Sequence, residues 1–167
     1  QKIRYPDKTF SVVGDSKKIS GILWGLHRWP TGGKSIVITE GEIDALSVCH
    51  VRGNKWPVVS LPAGAQSATK AIKQNIEALE RYDDIVLMFD GDEPGMKAAE
   101  EVAQLFSLGK CRIATIPGFK DANEALMEGS PDKIMTAYFN AKEYMPDGII
   151  CMKDISLDDM IEPETPG

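Results

Sequence analysis

The sequence predicts an α/β fold, with a mainly parallel sheet, helices on both faces and a short basic N-terminal segment in front of it. Two observations support this prediction. After residue 33, short apolar runs rich in β-branched residues alternate with helical patterns four times, as parallel strands and their crossover helices do. The run IVLMF at residues 85–89 is apolar throughout, as expected for a strand that is buried on both faces.

Four segments are predicted as strands because each is short, apolar or β-branched, and bounded by turn residues. They are KSIVITE, WPVVSL, DIVLMFD and CRIATI, at residues 34–40, 56–61, 84–90 and 111–116. The first 30 residues lack this rhythm and are expected to belong to a smaller subdomain.

The segments between and after these strands carry apolar residues at helical spacing. Helices are predicted at residues 41–53, 63–82, 93–106, 121–129 and 131–144. In the first helix, Ile43, Leu46 and Val51 lie near helical spacing. In the third, Pro94 falls near the first turn, where the missing N–H of proline does no harm.

Charge is unevenly distributed along the 167 residues. The chain carries a net charge of −6, but residues 1–34 hold seven Lys/Arg against two acids, and the remainder is strongly acidic. Either this is ordinary variation on solvated faces, or a basic flank meets a polyanion beside an acidic core that meets cations. Three widely spaced cysteines and two histidines offer neither a zinc motif nor a disulfide framework.

Acidic residues follow the predicted ends of two strands. Glu40 closes the first strand, with Glu42 and Asp44 soon after it, and Asp90 closes the third strand, with Asp92 after it. Residues two apart on an extended chain face the same side, so Asp90 and Asp92 repel each other unless a cation lies between them. Ligands of open parallel sheets collect at the carboxyl ends of strands, and Mg²⁺ prefers oxygen ligands. The sequence therefore predicts a magnesium site made by Asp90 and Asp92, with Glu40 nearby.

Helix capping is the alternative role for two of the acidic residues. Asp92 is well placed to cap the helix that contains Pro94. Asp121 and Glu124 have the spacing of a capping box, yet Asp121 also follows a strand and Lys120. Both roles stay open for these aspartates on the sequence alone.

These motifs resemble a TOPRIM domain, the metal-binding core of primases, topoisomerases and related nucleases. The family pattern is a glutamate after a first apolar strand and Asp-x-Asp after a later one. Here those are Glu40 in IVITEGEIDALS and the pair Asp90 and Asp92 in IVLMFDGDEPG. The further stretches PVVSLPAGA, KDANE and MPDG narrow the resemblance to the primase half of short-tailed-phage helicase-primases, to which mitochondrial Twinkle is related.

The resemblance implies metal-dependent synthesis of RNA primers from NTPs on a single-stranded DNA template. Glu40 would be catalytic, as the base or metal-linked group that activates the primer 3′ hydroxyl. Asp90, Asp92, Glu40 and Asp121 would hold Mg²⁺, for which Mn²⁺ substitutes. Nucleotide or template would be contacted by basic residues, namely Lys120, Lys17, Lys18, Arg28 and Lys34.

The resemblance also implies partners, location and domain boundaries. A fused or associated replicative helicase is expected, and no membrane partner. The expected location is the cytoplasm of an infected host cell or, for a Twinkle-like homologue, the mitochondrial matrix. We expect a basic remnant of the primase N-terminal subdomain at 1–34, the TOPRIM catalytic core at 35–146 and an acidic linker or tail at 147–167.

Two other functions stay open. One is cleavage of phosphodiester bonds by a TOPRIM nuclease or topoisomerase, and the other is a catalytically silent module that binds DNA or a helicase. The phage enzymes carry an N-terminal zinc module for which this sequence has no cysteine set, so we expect the fragment alone to prime weakly.

Overall fold

The computed structural model describes residues 2–7, 9–14, 21–146 and 148. It begins with an antiparallel hairpin of β1 (Lys2–Arg4) and β2 (Phe10–Val12). The predicted tail at 147–167 lies, except for Gly148, outside the described residues. No helix in the described ranges is long and apolar enough to cross a membrane.

A five-stranded sheet forms the centre of this described part of the chain. Its strands are β3 (Gly33–Thr39), β4 (Val58–Ser60), β5 (Tyr82–Met88), β6 (Cys111–Ile113) and β7 (Lys142–Glu143). Their order is β4-β3-β5-β6-β7, with β3 to β6 parallel and β7 antiparallel to β6. The prediction of a mainly parallel sheet is confirmed.

Helices cover both faces of this sheet. They are α1 (Glu42–Val51), α2 (Ala68–Leu79), α3 (Glu93–Ala103), α4 (Ala122–Met127) and α5 (Pro131–Phe139). Successive strand side chains point to opposite faces. Ile36 and Ile38 therefore pack with α2 and α3, while Val37 packs with α1, α4 and α5. Helices on both faces were expected, and this part of the prediction is also confirmed.

The last helix is shorter than predicted. The pattern at 131–144 predicts one continuous helix, but α5 ends at Phe139. Lys142 and Glu143 instead pair with Ile113 and Arg112 of β6. Hydrogen bonds to the sheet edge replace the helical bonds that these residues would otherwise make, and helical spacing cannot reveal such a distant partner.

Residues that precede β3 cover the β4 edge of the sheet. The Trp24 N–H donates to the Ser60 carbonyl over 2.9 Å, and the Ser60 N–H donates to the Trp24 carbonyl over 3.2 Å. The indole Nε1–H of Trp29 donates to the Val58 carbonyl over 2.9 Å. The Ser60 N–H, the Ser60 carbonyl and the Val58 carbonyl, all on the outer edge of β4, therefore have partners within the same chain.

A polar network near the amino ends of the strands holds α5 on the sheet. Arg112 donates two hydrogen bonds to the Asp84 carboxylate, each 2.7 Å long. The Tyr138 hydroxyl and the Ser35 hydroxyl are 2.9 Å apart, and the Arg52 guanidinium lies 4.3 Å from the centre of the Tyr138 ring. This network lies at the end of the sheet opposite to Glu40, Asp90 and Asp92.

Candidate active site

Acidic side chains gather at the carboxyl edge of the parallel strands. Glu40 directly follows β3, and Asp90 and Asp92 follow β5 by two and four residues. Asp121 caps α4, and Asp44 lies in the first turn of α1. Burial raises the pKa of both Glu40 and Asp44, and the negative charge of Asp90 adds to the rise in each case. The parallel topology brings these five carboxylates to one edge.

Local backbone structure holds Glu40 at this edge. The buried hydroxyl of Thr39 donates to the Gly41 carbonyl over 2.9 Å and fixes the turn that carries Glu40 out of the strand. The loop after β4 approaches from the other side, where the Ala65 N–H donates to Glu40 Oε1 over 3.3 Å. Gly64 has φ of +73°, and a Cβ there would lie 3.6 Å from the same oxygen. The backbone angle therefore favours glycine here, while the distance alone would allow a larger side chain.

No described residue makes a hydrogen bond of normal geometry to the second oxygen of Glu40. Oε2 is buried and accepts no hydrogen bond from any described residue. Burial, followed by repulsion from Asp90, raises the pKa of Glu40 above its ordinary value. A buried carboxylate oxygen without a partner is costly, so it is poised to accept a proton or to bind a cation.

An ammonium group lies against the Asp-x-Asp pair. Lys120 Nζ is 3.2 Å from Asp90 Oδ2 and 3.2 Å from Asp92 Oδ2. Burial raises the pKa of Asp90, although Lys120 opposes that effect. The Gly95 N–H, followed by Lys120, lowers the pKa of Asp92. The repulsion that the sequence predicts between these aspartates is therefore relieved here by Lys120.

The first turn of α3 packs directly on the backbone of this pair. Asp92 Oδ1 accepts a hydrogen bond from the Gly95 N–H over 3.0 Å, so the predicted cap of this helix is confirmed. A Cβ on Gly95 would overlap the Asp90 carbonyl. Gly95 is therefore required for the close approach of the helix to Asp90, and Asp92 serves the helix and the acidic cluster with different oxygens.

Asp121 and Asp44 form a second carboxylate pair. Asp121 Oδ1 accepts from the Glu124 N–H over 2.7 Å, which confirms its capping role. Asp44 Oδ1 accepts from the Asn123 N–H over 3.0 Å, which places the Asp44 carboxylate at the start of α4, beside Asp121. Burial, with a smaller contribution from the charge of Asp121, raises the pKa of Asp44 to about 7.

Asp44 belongs to the acidic cluster, although the sequence did not place it among the metal ligands. A signal for it exists in the sequence. Asp44 falls in the first turn of the helix that follows the Glu40 strand, and helical side chains tilt towards the N-terminus of their helix. That tilt directs Asp44 back towards the carboxyl edge.

The basic residues predicted to contact nucleotide or template do not all lie at this edge. Lys120 does, whereas Lys34 lies at the start of β3, about 20 Å along the strand from Glu40. Arg28 ends a short 3-10 helix (Leu26–Arg28) that lies beside the start of β4. Lys17 and Lys18 fall outside the described residues.

The N-terminal hairpin brings a further cation to the carboxyl edge. Lys2 Nζ donates to both carboxylate oxygens of Glu42, over 2.7 and 3.0 Å, and to the Pro62 carbonyl over 3.4 Å. Glu42 opens α1 two residues after Glu40, so the hairpin forms one side of the acidic edge.

The chemistry of this edge suits a hard divalent cation. Its donors are carboxylate oxygens, which Mg²⁺ and Mn²⁺ prefer, and Glu40 Oε2 has no hydrogen-bond partner among the described residues. However, no three Asp, Glu, His or Cys side chains in the described ranges converge closely enough to form a finished metal site. The position next to both Asp90 and Asp92 is taken by the Lys120 ammonium. The residues therefore fit such an ion, provided that the Lys120 ammonium moves away from the two aspartates.

Known proteins resemble this chain along most of its length. A Toprim-like family model matches residues 37–126. The chain is 44% identical over 162 residues to the DNA helicase/primase of Enterobacteria phage T3, which covers 97% of this chain and 28% of the T3 protein. The chain thus spans about a quarter of that relative.

Two solved structures have the same fold at high sequence identity. The primase fragment of the bacteriophage T7 primase-helicase is 47% identical with a TM-score of 0.76, covering 82% of this chain and 56% of that one. The second is the T7 lagging-strand DNA polymerase interacting with primase domains that are bound to an RNA/DNA hybrid and dTTP. Its matched chain is 46% identical with a TM-score of 0.78, covering 86% of this chain and 71% of that chain. These similarities confirm the predicted TOPRIM resemblance.

Proposed function

The chain belongs to the Toprim-like family, and from this premise we propose that it is the catalytic core of a DNA primase. The reaction is the joining of ribonucleotides into short RNA primers on a single-stranded DNA template. The observation that carries the proposal is the acidic edge, where Glu40 has a buried oxygen to which no described residue donates a hydrogen bond, close to the Asp90–Asp92 pair. The similarity to the T3 and T7 proteins supports it.

The proposed chemistry is nucleotidyl transfer. The 3′ oxygen of the primer attacks the α-phosphorus of an incoming ribonucleoside triphosphate. The new O–P bond forms as the bond to the β-phosphate oxygen breaks, and pyrophosphate leaves. Glu40 accepts the proton of the 3′ hydroxyl, and its raised pKa suits this role because a general base works best with a pKa near the operating pH.

The proposed cofactor is Mg²⁺, with Mn²⁺ as a substitute. Asp90 and Asp92, with Glu40 and Asp121, are the residues that would hold it. When bound, such an ion neutralises the charge that develops on the phosphate oxygens during transfer. Lys120 is proposed to pair with a phosphate oxygen of the triphosphate.

We also propose which residues contact the template, a helicase as partner, and a cellular location. Arg28 and Lys34 would contact template or nucleotide away from the acidic edge, and Lys17 and Lys18 have the same proposed role. A replicative helicase, fused or associated, is the proposed partner because the T3 and T7 relatives carry both activities in their names. The proposed location is the cytoplasm of an infected host cell or, for a Twinkle-like protein, the mitochondrial matrix. The domain boundaries at 34 and 146 stay predictions.

Extension of a short RNA annealed to a DNA template tests this function directly. The annealed primer removes the need for a module that selects the start site. We expect the 167-residue chain to add labelled ribonucleotides in the presence of Mg²⁺ or Mn²⁺. Nicking of supercoiled plasmid without primer extension would instead identify a nuclease or topoisomerase. DNA binding without either reaction would identify a silent module, and both results would overturn the proposal.

Asp90→Asn tests the role of the acidic edge. The change removes a charge and almost no volume, so we expect the fold to persist while Mn²⁺ binding and primer extension fall by at least about 100-fold. Asp83→Asn, the same change at an exposed position of β5, is the matched control. Circular dichroism reports the fold, and isothermal titration reports Mn²⁺ binding. Extension at the wild-type rate by the Asp90 variant would contradict the assignment.

A further inference from the structure

We propose that the Lys120 ammonium is a built-in counter-cation of the Asp90–Asp92 pair, which the incoming divalent ion must displace. Lys120 would then set how tightly the acidic edge binds bare metal. This inference rests on the proposed function, because it concerns the same site, but its test does not need primer synthesis.

The first support is the position of the ammonium. Lys120 Nζ lies 3.2 Å from one oxygen of Asp90 and from one oxygen of Asp92. A Mg²⁺ ion bonds carboxylate oxygens at about 2.1 Å, so an ion on these two oxygens would lie within about 5 Å of the ammonium. A single and a double positive charge repel strongly at that distance. The ion and the ammonium therefore compete for the same pair of carboxylates.

The second support is the way Lys120 is attached. Its carbonyl accepts from the N–H of Gly91, the middle residue of the Asp-x-Asp motif, over 2.7 Å. Its own N–H donates to Glu124 Oε2 over 2.6 Å. The backbone is thus fixed to the acidic pair, while the Lys120 side chain is 54% exposed. Rotation of its flexible four-carbon stem can move the ammonium to solvent without any change in the backbone.

Displacement of the Lys120 ammonium by a metal ion affects the order in which metal and nucleotide bind. Before an ion arrives, the ammonium compensates Asp90, which is only 18% exposed and would otherwise be a poorly solvated charge. After displacement, the ammonium stays tethered beside the site and can pair with an oxygen of the triphosphate. Lys120 would therefore oppose binding of bare metal and favour binding of metal that arrives with nucleotide.

Mn²⁺ titration of the 167-residue chain tests the exchange. Lys120→Met keeps the length of the side chain and removes its charge, and Lys55→Met removes one charge from an exposed position ahead of β4. We expect Lys120→Met to bind Mn²⁺ at least about tenfold more tightly than either the wild type or the Lys55 variant. Lys120→Arg, which restores the charge, should return the affinity towards the wild-type value.

Thermal unfolding with and without Mn²⁺ distinguishes displacement of the ammonium from a merely structural role of Lys120. Without metal, Lys120→Met should melt a few degrees below the wild type, because Asp90 and Asp92 lose their counter-cation. Saturating Mn²⁺ should remove this difference. Nucleotide should also raise Mn²⁺ affinity less in Lys120→Met than in the wild type. Lys120→Gln repeats each measurement with a polar side chain if the methionine variant folds poorly.

The outcomes distinguish this inference from the proposed function. Unchanged or weaker Mn²⁺ binding by Lys120→Met overturns the exchange, even if the chain extends primers. Tighter Mn²⁺ binding by that variant supports the exchange, even if the chain extends no primer and the proposed function fails.

Discussion

Asp44→Asn should make the metal-free protein more stable at neutral and alkaline pH. The Asp44 carboxyl group is partly buried, and this burial, with smaller contributions from the charges of Asp121 and Asp90, raises its pKa to about 7. Ionisation of Asp44 in the folded protein is therefore costly. Asparagine has the same size, and its amide oxygen can still accept the hydrogen bond from the Asn123 N–H.

The size and the sign of this effect follow from the pKa. The ordinary value for aspartate is 3.8, so the folded state holds the Asp44 proton more strongly than the unfolded state does. The stability that this proton contributes is complete below about pH 4 and is lost as the pH rises towards 7. A difference of about three pH units corresponds to at most about 4 kcal/mol, at about 1.4 kcal/mol per unit. Relative to the wild type, the variant should gain up to this free energy of unfolding between about pH 4 and pH 8.

Urea unfolding with a chelator present measures this gain. The wild type, Asp44→Asn and Asp83→Asn are compared at several pH values, with the exposed Asp83 of β5 as the control for an ordinary carboxylate. Any effect of the amide itself is the same at every pH, so the change with pH is the informative quantity. A difference between wild type and Asp44→Asn that stays constant from about pH 4 to pH 8 would refute the reasoning.

Two further substitutions test the packing around the site. Gly95→Ala places a methyl group against the Asp90 carbonyl. We therefore expect the free energy of unfolding, measured in urea, to fall by about 1–3 kcal/mol and Mn²⁺ affinity to weaken. Unchanged stability would contradict the close approach of the helix to Asp90. Asp84→Asn breaks the paired hydrogen bonds from Arg112 and should cost about 2 kcal/mol. Mn²⁺ binding should survive this second change, because Asp84 lies at the opposite end of the sheet. Loss of Mn²⁺ binding in Asp84→Asn would show that the two ends are coupled.

The parallel sheet and the position of its acidic residues could be predicted because they depend on local patterns. Apolar runs identify the strands, and parallel strands end at the same edge, so the sequence alone places Glu40, Asp90 and Asp92 near one another. The contact between Asp44 and the start of α4 could not be predicted in this way. It depends on how α1 packs against α4, and the residues of that interface are far apart in the sequence.

Helix α1 shows the limit of spacing as a guide. Ile43 and Leu46 lie at helical spacing, yet they are 45% and 51% exposed, while the smaller Ala45 and Val48 are buried. Ala45 packs in the same core as Ala122 and Ala125 of α4, where small side chains allow the two helices to approach closely. Spacing identifies two candidate faces on such a helix, and only the size of the opposing side chains decides which one packs.

The covered edge of β4 has a consequence for crowded conditions. Backbone groups at an open sheet border are a template on which another copy of a chain can add a strand and begin to aggregate. On one edge of the sheet, Trp24 pairs with β4. On the other edge, β7 is only two residues long and presents the exposed, charged Lys142 and Glu143. Addition of a strand from another copy is therefore disfavoured at both borders of the five-stranded sheet.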